Sequence, residues 1–370
     1  MVLENSFIPP IYAEVYPDVT LENKATDVSS LPDARLISIH RQFATALAWL
    51  EVSDYMTQAH NESSNSKSHD SMDFLIRTPV AQNWVQWCMK PLSRIFRYFW
   101  MRTPMFFRGF AYKHLASLGQ RLYGYTGSDR TFRLPFNYYL RVASRDWAPK
   151  HQAEFESLRL VEKFTQIPAP RGVDTVQYSN SSFLLMTGLP GQGIGIMLPT
   201  MTDKQLDTVA HDLEEYIAQL RQIPNRTGSE FQICNPLGDG ILDWRIGDSQ
   251  RKDLKFRNET EFNQFLTYDL PLDENAWKQI SKSYSIKHAI VFTHADLNLR
   301  NILVDENGRI SGIVDWECAG WYPEYWEFTK MHFTVRFTTR WLADVVNQIF
   351  QNYHDELQVE DMLSSMVPPW

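Results

Sequence analysis

Residues 290–316 read IVFTHADLNLRNILVDENGRISGIVDW, and this stretch decides how the chain is interpreted. Residues 290–293 form a short apolar run, typical of a buried strand, that leads into a polar turn. Two further strands are predicted at 301–305 and 310–315. The four residues between them, 306–309, include an Asn-Gly pair, which tolerates the positive φ angles of a tight hairpin turn. The hairpin therefore returns the chain towards the polar turn after the first strand.

This arrangement brings three oxygen-bearing side chains together, since Asp315 returns to the loop that holds Asp296 and Asn301. Phosphoryl transfer needs such a set. Asp296 can orient a substrate hydroxyl and accept its proton, while Asn301 and Asp315 are hard oxygen ligands that suit Mg²⁺. Taken singly, Asp315 is also explained as an ordinary turn carboxylate and Asn301 as a cap. Their order and spacing together favour the catalytic interpretation.

A family resemblance becomes visible around these residues. The pattern HxDxxxxN at 294–301, followed by a hairpin that ends in Ile-Val-Asp315, resembles the catalytic loop and metal-binding aspartate of protein-kinase-like folds. With Trp-Glu directly after Asp315 and AGWYPE at 319–324, it is similar to the fungal branch of the aminoglycoside phosphotransferase (choline-kinase-like) family. Further matches are RLYG (121–124), LPF (134–136), LRLVEK (158–163) and LMTGLPG (185–191). The resemblance is collinear over about residues 115–335, which makes it more specific than any single motif.

The resemblance implies an α+β, bilobal protein-kinase-like fold. Its parts would be a helical N-terminal extension (1–115) with a polar linker near 57–70, a strand-rich nucleotide-binding N-lobe (116–190), and a mainly helical C-lobe (191–370) that carries the catalytic and metal-binding loops.

The local patterns agree with this division. Glycines and turn formers predict an irregular segment at 119–129, before strands at 136–142 and 182–187 that flank a helix at 152–164. Apolar residues spaced three and four apart predict the C-lobe helices, at 203–222, 259–268, 274–284 and 323–363.

The resemblance also implies the residues of an ATP site. These are the phosphate-covering Gly124, Gly127 and Ser128, the phosphate-binding Arg141 with its acidic partner Glu154, and the adenine-lining Met186 and Leu189. Glu156 is the alternative partner if the helix register shifts. On the acceptor side, Asp296 would be the catalytic base, and Asn301 and Asp315 would hold Mg²⁺. His294 would be a structural hydrogen-bonder.

The chain departs from the family pattern at several positions. Arg141 stands where the family usually has lysine, and its planar guanidinium is not equivalent to a point-charge ammonium at a tight phosphate site. Ala295 replaces a glycine, which matters if the loop needs a positive φ. Asn298 and Leu299 replace the usual His and Pro. The alternative function is therefore a kinase-fold protein that has lost or changed phosphotransfer, as in small-molecule binding or a non-kinase biosynthetic step.

The bulk composition excludes several classes of protein. The 370 residues carry a net charge of −8 and only three, widely spaced cysteines, which argues against a disulfide framework and favours a cytoplasmic location. No secretory signal or long uncharged apolar run is visible. The acidic balance argues against nucleic acid as a partner. A small-molecule hydroxyl acceptor is expected, but the sequence determines neither its identity nor the oligomeric state.

A basic, aromatic segment stands apart from this acidic background. Residues 74–128 contain no acidic residue and eight lysines and arginines, interleaved with aromatics. One interpretation is a binding surface, either for weak contact with a membrane surface through 74–113 or for an acidic partner. The other, favoured because so many aromatics are rarely left in solvent, is a pair of amphipathic helices packed on the main domain.

Two smaller polar clusters have weaker interpretations. Asp243 and Arg245 suggest a structural ion pair with each other. Glu324 and Glu327 are explained either by an acidic substrate groove or by a solvated helix start.

Overall fold

The structure is a computed structural model that describes residues 99–126, 128–333, 335 and 338–366. The predicted N-terminal extension therefore lies outside the described residues except for 99–115, and Gly127 also lies outside them. Within the described part of the chain, no helix is both long and apolar enough to cross a membrane. Cys234 and Cys318 are free thiols in the protein interior.

The first part of the described chain is built on a four-stranded antiparallel sheet. Its elements are α1 (Met105–Tyr123), β1 (Thr131–Leu134), β2 (Tyr138–Ser144), α2 (Ala148–Phe164), β3 (Gly172–Tyr178) and β4 (Ser181–Thr187). The strand order is β1-β2-β4-β3, so β2 and β4 are central. The apolar run of β4 is buried throughout, as a central strand covered on both faces requires.

Helices α1 and α2 cover opposite faces of this sheet because side chains alternate along β4. Phe183 lies in one core cluster with Tyr112 of α1, whereas Leu184 lies in another with Leu158 of α2. The second cluster continues into the C-terminal part of the chain.

Helix α1 is fixed to the sheet by a buried polar contact and by small residues. Arg108 forms an ion pair with Asp174 of β3, and the Tyr112 hydroxyl donates to the other carboxylate oxygen at 2.6 Å. A Cβ on Gly119 would lie 2.3 Å from the carbonyl oxygen of Arg133, so glycine allows α1 to lie close beside β1.

The second part is mainly helical. Its helices are α3 (Ile194–Met197), α4 (Asp203–Arg221), α5 (Glu259–Thr267), α6 (Glu274–Tyr284), α7 (Trp326–Phe333), α8 (Thr339–Trp341), α9 (Asn347–Ile349) and α10 (His354–Met366), with a π-turn at Leu342–Val346. Its strands are β5 (Gln192–Gly193), β6 (Ile290–Thr293), β7 (Ile302–Val304), β8 (Ile310–Ile313) and β9 (Gly320–Pro323). Strands β5-β7-β8 form one small sheet and β6-β9 another. The described chain is thus bilobal, as predicted.

Most predicted elements are present within one to four residues, and α6 and β6 have the predicted bounds. The irregular segment predicted from 119 begins only after Tyr123, because Gly119 serves close packing rather than a turn. Strands β1 and β3 were not predicted. The region 323–363 is helical over most of its length, as predicted, but in several short helices, and its first residue belongs to β9.

Candidate active site

The predicted catalytic loop connects β6 to β7 and is tightly turned. The backbone amide of Asn298 donates to the backbone carbonyl of Asp296 at 2.9 Å, and the backbone amide of Asn301 donates to the backbone carbonyl of Asn298 at 3.0 Å. Ala295 has a φ of 63°, the left-handed conformation that glycine adopts more readily. The loop therefore does need a positive φ at the position where the chain departs from the family pattern.

Asp296 lies in the middle of this loop with both carboxylate oxygens hydrogen-bonded. Asn298 Nδ2 donates to Oδ1 at 3.0 Å, and Asn301 Nδ2 donates to Oδ2 at 2.8 Å. Burial raises the pKa of Asp296 to about 6, although the nearby cations Lys330 and Arg300 oppose the shift. A carboxylate that is held in place and has a pKa close to neutral is suited to accepting a proton.

Hydrogen bonds between backbone amides and the side chains of His294 and Glu327 hold the loop in place. The Asp296 amide donates to His294 Nδ1 at 3.2 Å, which leaves Nε2–H to donate to the Val314 carbonyl at 3.1 Å. Burial lowers the pKa of His294 to about 4, so the ring is neutral, in agreement with this tautomer. Glu327 accepts from the amides of His294 and Ala295, at 2.8 and 3.3 Å. His294 thus connects the loop to the end of β8, as expected of a structural residue.

Arg141 of β2 lies at the centre of a carboxylate cluster. Its Nη1 donates to Glu154 at 2.8 Å and to Glu317 at 2.9 Å, and its Nη2 donates to Asp315 at 2.7 Å. Glu154 comes from α2 and is almost fully buried, whereas Glu156 pairs with Arg159 on the surface. Residues from both lobes, far apart in sequence, therefore meet at one guanidinium.

The cluster holds more negative than positive charge when its three carboxylates are ionised. Burial raises the pKa of Glu154 to about 7 and that of Glu317 to about 8. Burial also opposes ionisation of Asp315, but its pKa is lowered because the Arg141 guanidinium outweighs that effect. One cation shared by three carboxylates leaves a site that further positive charge would stabilise.

Asp315 is presented to this cluster by strained backbone at the end of β8. Its φ is 70°, and a short 3₁₀ turn, Trp316–Cys318, follows directly. Trp316 is fully buried and donates its indole N–H to the Ile313 carbonyl at 2.9 Å. A non-glycine residue in the left-handed region persists only where its surroundings fix it, and the buried indole supplies that constraint.

The donor atoms near the loop suit Mg²⁺ in company with a nucleotide. Asn301 uses its amide nitrogen, not its carbonyl oxygen, in both hydrogen bonds to Asp296. Asp315 contacts Arg141 through Oδ1. Across the described residues no group of three or more His, Cys, Asp or Glu side chains could hold a metal by itself. One carboxamide and one carboxylate nevertheless fit Mg²⁺, which binds few protein ligands and completes its shell with phosphate and water.

Two residues predicted to contact the nucleotide, Gly124 and Ser128, lie between α1 and β1. Thr131 of β1 pairs with Arg141 of β2 in the sheet, so both residues come shortly before the strand next to Arg141. Gly124 ends α1 with a φ of 71°. Ser128 accepts from the Arg130 amide at 3.3 Å.

Residues 186–189, predicted to line the adenine pocket and called the hinge from here on, join the two lobes. Met186 is buried at the end of β4, and the Leu189 side chain packs over Gly312 of β8, where a Cβ would lie 2.8 Å from it. Ser311 donates to the Pro190 carbonyl at 2.8 Å. The hinge thus runs directly over the hairpin that ends at Asp315.

A comparison with family models identifies the chain. The Phosphotransferase enzyme family (APH) matches residues 125–363, which is more than half of the sequence. The chain belongs to this phosphotransferase family. The match includes the hinge, the Arg141 cluster and the catalytic loop.

Solved structures similar to this phosphotransferase-family protein share low identity. The gentamicin complex of APH(2″)-IIa is 17% identical with a TM-score of 0.43, and covers 69% of this chain and 84% of its own. APH(3″)-Id from Streptomyces rimosus is 15% identical with a TM-score of 0.41, and the match covers 64% of this chain and 88% of that protein. A putative fructosamine-3-kinase from Haemophilus somnus is 12% identical with a TM-score of 0.42, covering 68% and 87%. No curated protein sequence matched the chain.

Several residues of this family member's site were not predicted from sequence. Glu317 was noted only as part of a motif, Glu327 was explained as solvated or as part of a groove, and Asn298 was noted only as a departure from the family pattern. For Glu317, the sequence offered one signal of a role in the site: it lies two residues after the predicted metal ligand Asp315.

The interpretation of Asp243 and Arg245 as a side-chain pair was wrong. Asp243 binds Lys330 at 2.6 Å and Trp326 at 2.8 Å, and Arg245 binds Glu360 at 3.1 Å. Only the backbone amide of Arg245 reaches Asp243.

Proposed function

We propose that this protein transfers the terminal phosphoryl group of ATP to a hydroxyl group of a small molecule. The observation that carries the proposal is that Asp315, 174 residues further along the chain, meets Arg141 and its partner Glu154. The family resemblance assigns these three residues to one nucleotide–metal site. In this proposal, residues 116–190 supply the nucleotide-binding lobe and 191–370 the lobe that carries Asp296.

The proposed roles follow from the contacts. Asp296 accepts the proton of the acceptor hydroxyl while Asn298 and Asn301 keep its carboxylate in position. The acceptor oxygen forms a bond to the terminal phosphorus, and the bond from that phosphorus to the bridging oxygen of ATP breaks, so that ADP leaves. Mg²⁺, held by Asn301 and Asp315, would neutralise phosphate charge.

On the nucleotide side, Gly124, Gly127 and Ser128 are proposed to lie over the phosphates, and Met186 and Leu189 to line the adenine pocket. Arg141 is proposed to hold Asp315 together with Glu154 before the nucleotide binds, which a single ammonium group would not do in the same geometry. Because Nη2 of Arg141 contacts Oδ1 of Asp315, phosphate and metal would compete with this contact when the nucleotide binds. Arg141 is thus proposed to keep the cluster neutralised until the nucleotide arrives.

The test is calorimetric titration of the full-length protein with ATP, with and without Mg²⁺. Binding should require Mg²⁺, weaken at least about tenfold in Asp315→Asn and Glu154→Gln, and stay unchanged in Glu156→Gln, a matched control on the same helix. Arg141→Lys should bind Mg²⁺ and ATP more tightly, since Asp315 is released. Failure of the native protein to bind millimolar ATP would sink the proposal.

A second candidate function has one observation in its favour. The Arg141–Asp315 ion pair occupies the predicted metal ligand, which suits a protein of this family that binds a small molecule without phosphotransfer. Phosphorus NMR distinguishes the two functions. ADP formed on addition of a hydroxyl acceptor supports the transferase, whereas bound ATP that stays intact with every class of acceptor supports the binding protein.

A further inference from the structure

The outward side of helix α1 is an exposed aromatic and basic surface that the candidate active site does not use. It consists of Phe106, Phe107, Phe110, Lys113, Leu118 and Arg121, named here the α1 outer face. Phe106 and Phe107 are each 61% exposed, Phe110 is 49% exposed and Leu118 is 42% exposed. The interpretation favoured from the sequence, amphipathic helices packed on the main domain, holds for the buried side of α1, but these phenylalanines remain largely exposed.

Helix geometry makes this surface a single face. The buried residues of α1, among them Arg108, Tyr112 and Ala116, form one stripe against the sheet. Phe106, Phe110, Lys113 and Arg121 are spaced four, three and eight apart, which places them together on the opposite side of the helix. The sheet therefore holds α1 by one side. Phe106 at the margin of the outer face also packs edge-on against Tyr178 of β3, with ring centroids 5.3 Å apart, but it stays largely exposed and the face as a whole is accessible to a partner.

The charge of the outer face is entirely positive. No acidic residue occurs between 74 and 128, although the whole chain carries a net charge of −8. On the buried side, Asp174 neutralises Arg108. Lys113 and Arg121 are exposed and take part in no ion pair with the described residues. The face thus presents cations beside exposed phenylalanines.

We infer that the α1 outer face docks on an anionic membrane surface. Phenylalanines enter the boundary between headgroups and acyl chains, and lysine and arginine contact the anionic headgroups, a combination typical of helices that lie in the membrane interface. A two-fold contact between copies of this chain is disfavoured, because it would place the same cations against one another. The inference is independent of the proposed catalytic function.

The test is co-sedimentation of the full-length protein with vesicles of phosphatidylcholine alone or mixed with phosphatidylserine. The native protein should bind the anionic vesicles, and added salt should weaken binding. The variants Phe106→Ser/Phe107→Ser/Phe110→Ser and Lys113→Glu/Arg121→Glu should each bind at least about tenfold more weakly, because each removes one of the two contributions. All substituted side chains are exposed, and circular dichroism verifies that the variants fold.

Matched controls lie in the helical lobe. Tyr268→Ser/Trp277→Ser removes exposed aromatics, and Lys204→Glu/Lys278→Glu makes the same charge change, so both should bind like the native protein. Native protein that does not sediment with anionic vesicles overturns the inference, as do face variants that bind unchanged. A dimer that dissociates in the triple serine variant, without vesicle binding, also overturns it and assigns the face to a second copy.

Discussion

At the scale of single residues, Arg141 differs from a lysine in the number of partners that it can hold in fixed geometry. Its fork places Nη1 between Glu154 and Glu317 and directs Nη2 at Asp315. An ammonium group at the same backbone position would not present two nitrogen atoms in one plane. The family departure at this position therefore has a structural consequence, since three carboxylates from two lobes depend on one side chain.

Replacing Arg141 with Met should destabilise the protein by about 3–5 kcal/mol, because it leaves the buried Glu154 carboxylate and the partly buried Asp315 and Glu317 without their cation. Urea denaturation of both proteins measures this difference. The control Arg159→Met removes an exposed partner of Glu156 on α2 and should cost less than about 1 kcal/mol. Equal losses in the two variants would show that the cluster contributes no special stability.

Ala295 tests the cost of the left-handed loop conformation. Substitution of Ala295 with Gly removes a buried methyl group but also relieves backbone strain of about 1 kcal/mol, so stability should change by less than about 0.5 kcal/mol. Ala153, also buried but in the middle of α2, has no strain to relieve. Ala153→Gly should therefore lose about 1–2 kcal/mol in the same thermal or urea unfolding experiment. A large loss in both would contradict the role assigned to φ.

At the scale of elements, the agreement between sequence and structure depends on how regular each pattern is. Helix α4 was predicted because its apolar residues recur on one face, and Thr202 forms a capping box with Gln205. Strand β3 was missed because Asp174 interrupts its apolar run, and that aspartate is buried only because α1 supplies Arg108. Strand β1 has four residues at an edge and too short a pattern to recognise.

The predicted catalytic loop shows the same limit. Asp296, Asn301 and Asp315 were predicted as site residues because their order and spacing suit phosphoryl transfer. Glu327 was not assigned its role, because its hydrogen bonds to the loop depend on where α7 lies in three dimensions, and no local pattern encodes that.

Glu327 is expected to hold this loop as a hydrogen-bond acceptor. Glu327→Ala leaves two buried amides unpaired and should lose about 2–4 kcal/mol, with faster hydrogen exchange at His294 and Ala295. Glu327→Gln keeps an acceptor oxygen in place and should stay within about 1 kcal/mol of the native protein. Comparable damage in the Gln variant would show that the carboxylate charge matters instead.

At the scale of the whole molecule, the two lobes are joined by polar, aromatic and apolar contacts in addition to the hinge. Beyond the Arg141 cluster, Lys150 of α2 donates to the Ser249 carbonyl at 3.0 Å, and Trp147 stacks on Trp244 with centroids 6.5 Å apart. The shared core beneath α2 adds apolar packing. Unfolding of the described lobes is therefore expected to be cooperative, and global stability can report a single titrating group.

His288 is such a group. Burial opposes its charged form, but Glu259 at 2.6 Å and Glu356 at 3.6 Å outweigh burial and raise its pKa above the usual 6.5. Its contribution to stability is therefore complete below pH 6.5 and is lost as pH rises through the raised pKa.

The free energy of unfolding should accordingly fall on the alkaline side of pH 6.5, by no more than about 1.4 kcal/mol per pH unit for this one proton. Urea midpoints across this range measure the slope. His288→Gln should make the slope shallower without removing it, since Glu154 and Glu317, with pKa values of about 7 and 8, titrate in the same range with the same sign. Substitution of the exposed His211 with Gln should leave the slope unchanged. An unchanged slope in His288→Gln would assign the pH dependence to other groups.

Chemical labelling of the buried Cys318 thiol reports how often the candidate active site opens. Cys318 is 1% exposed, lies at the end of the turn that follows Asp315, and burial raises its pKa well above the ordinary value. A thiol this deeply buried is alkylated only when the structure around it opens locally, so the labelling rate measures the frequency of that opening. Saturating ATP and Mg²⁺ should slow labelling of Cys318, identified by peptide mass spectrometry, and leave Cys234 unaffected. Equal slowing at both thiols would indicate global stabilisation instead of closure at the site.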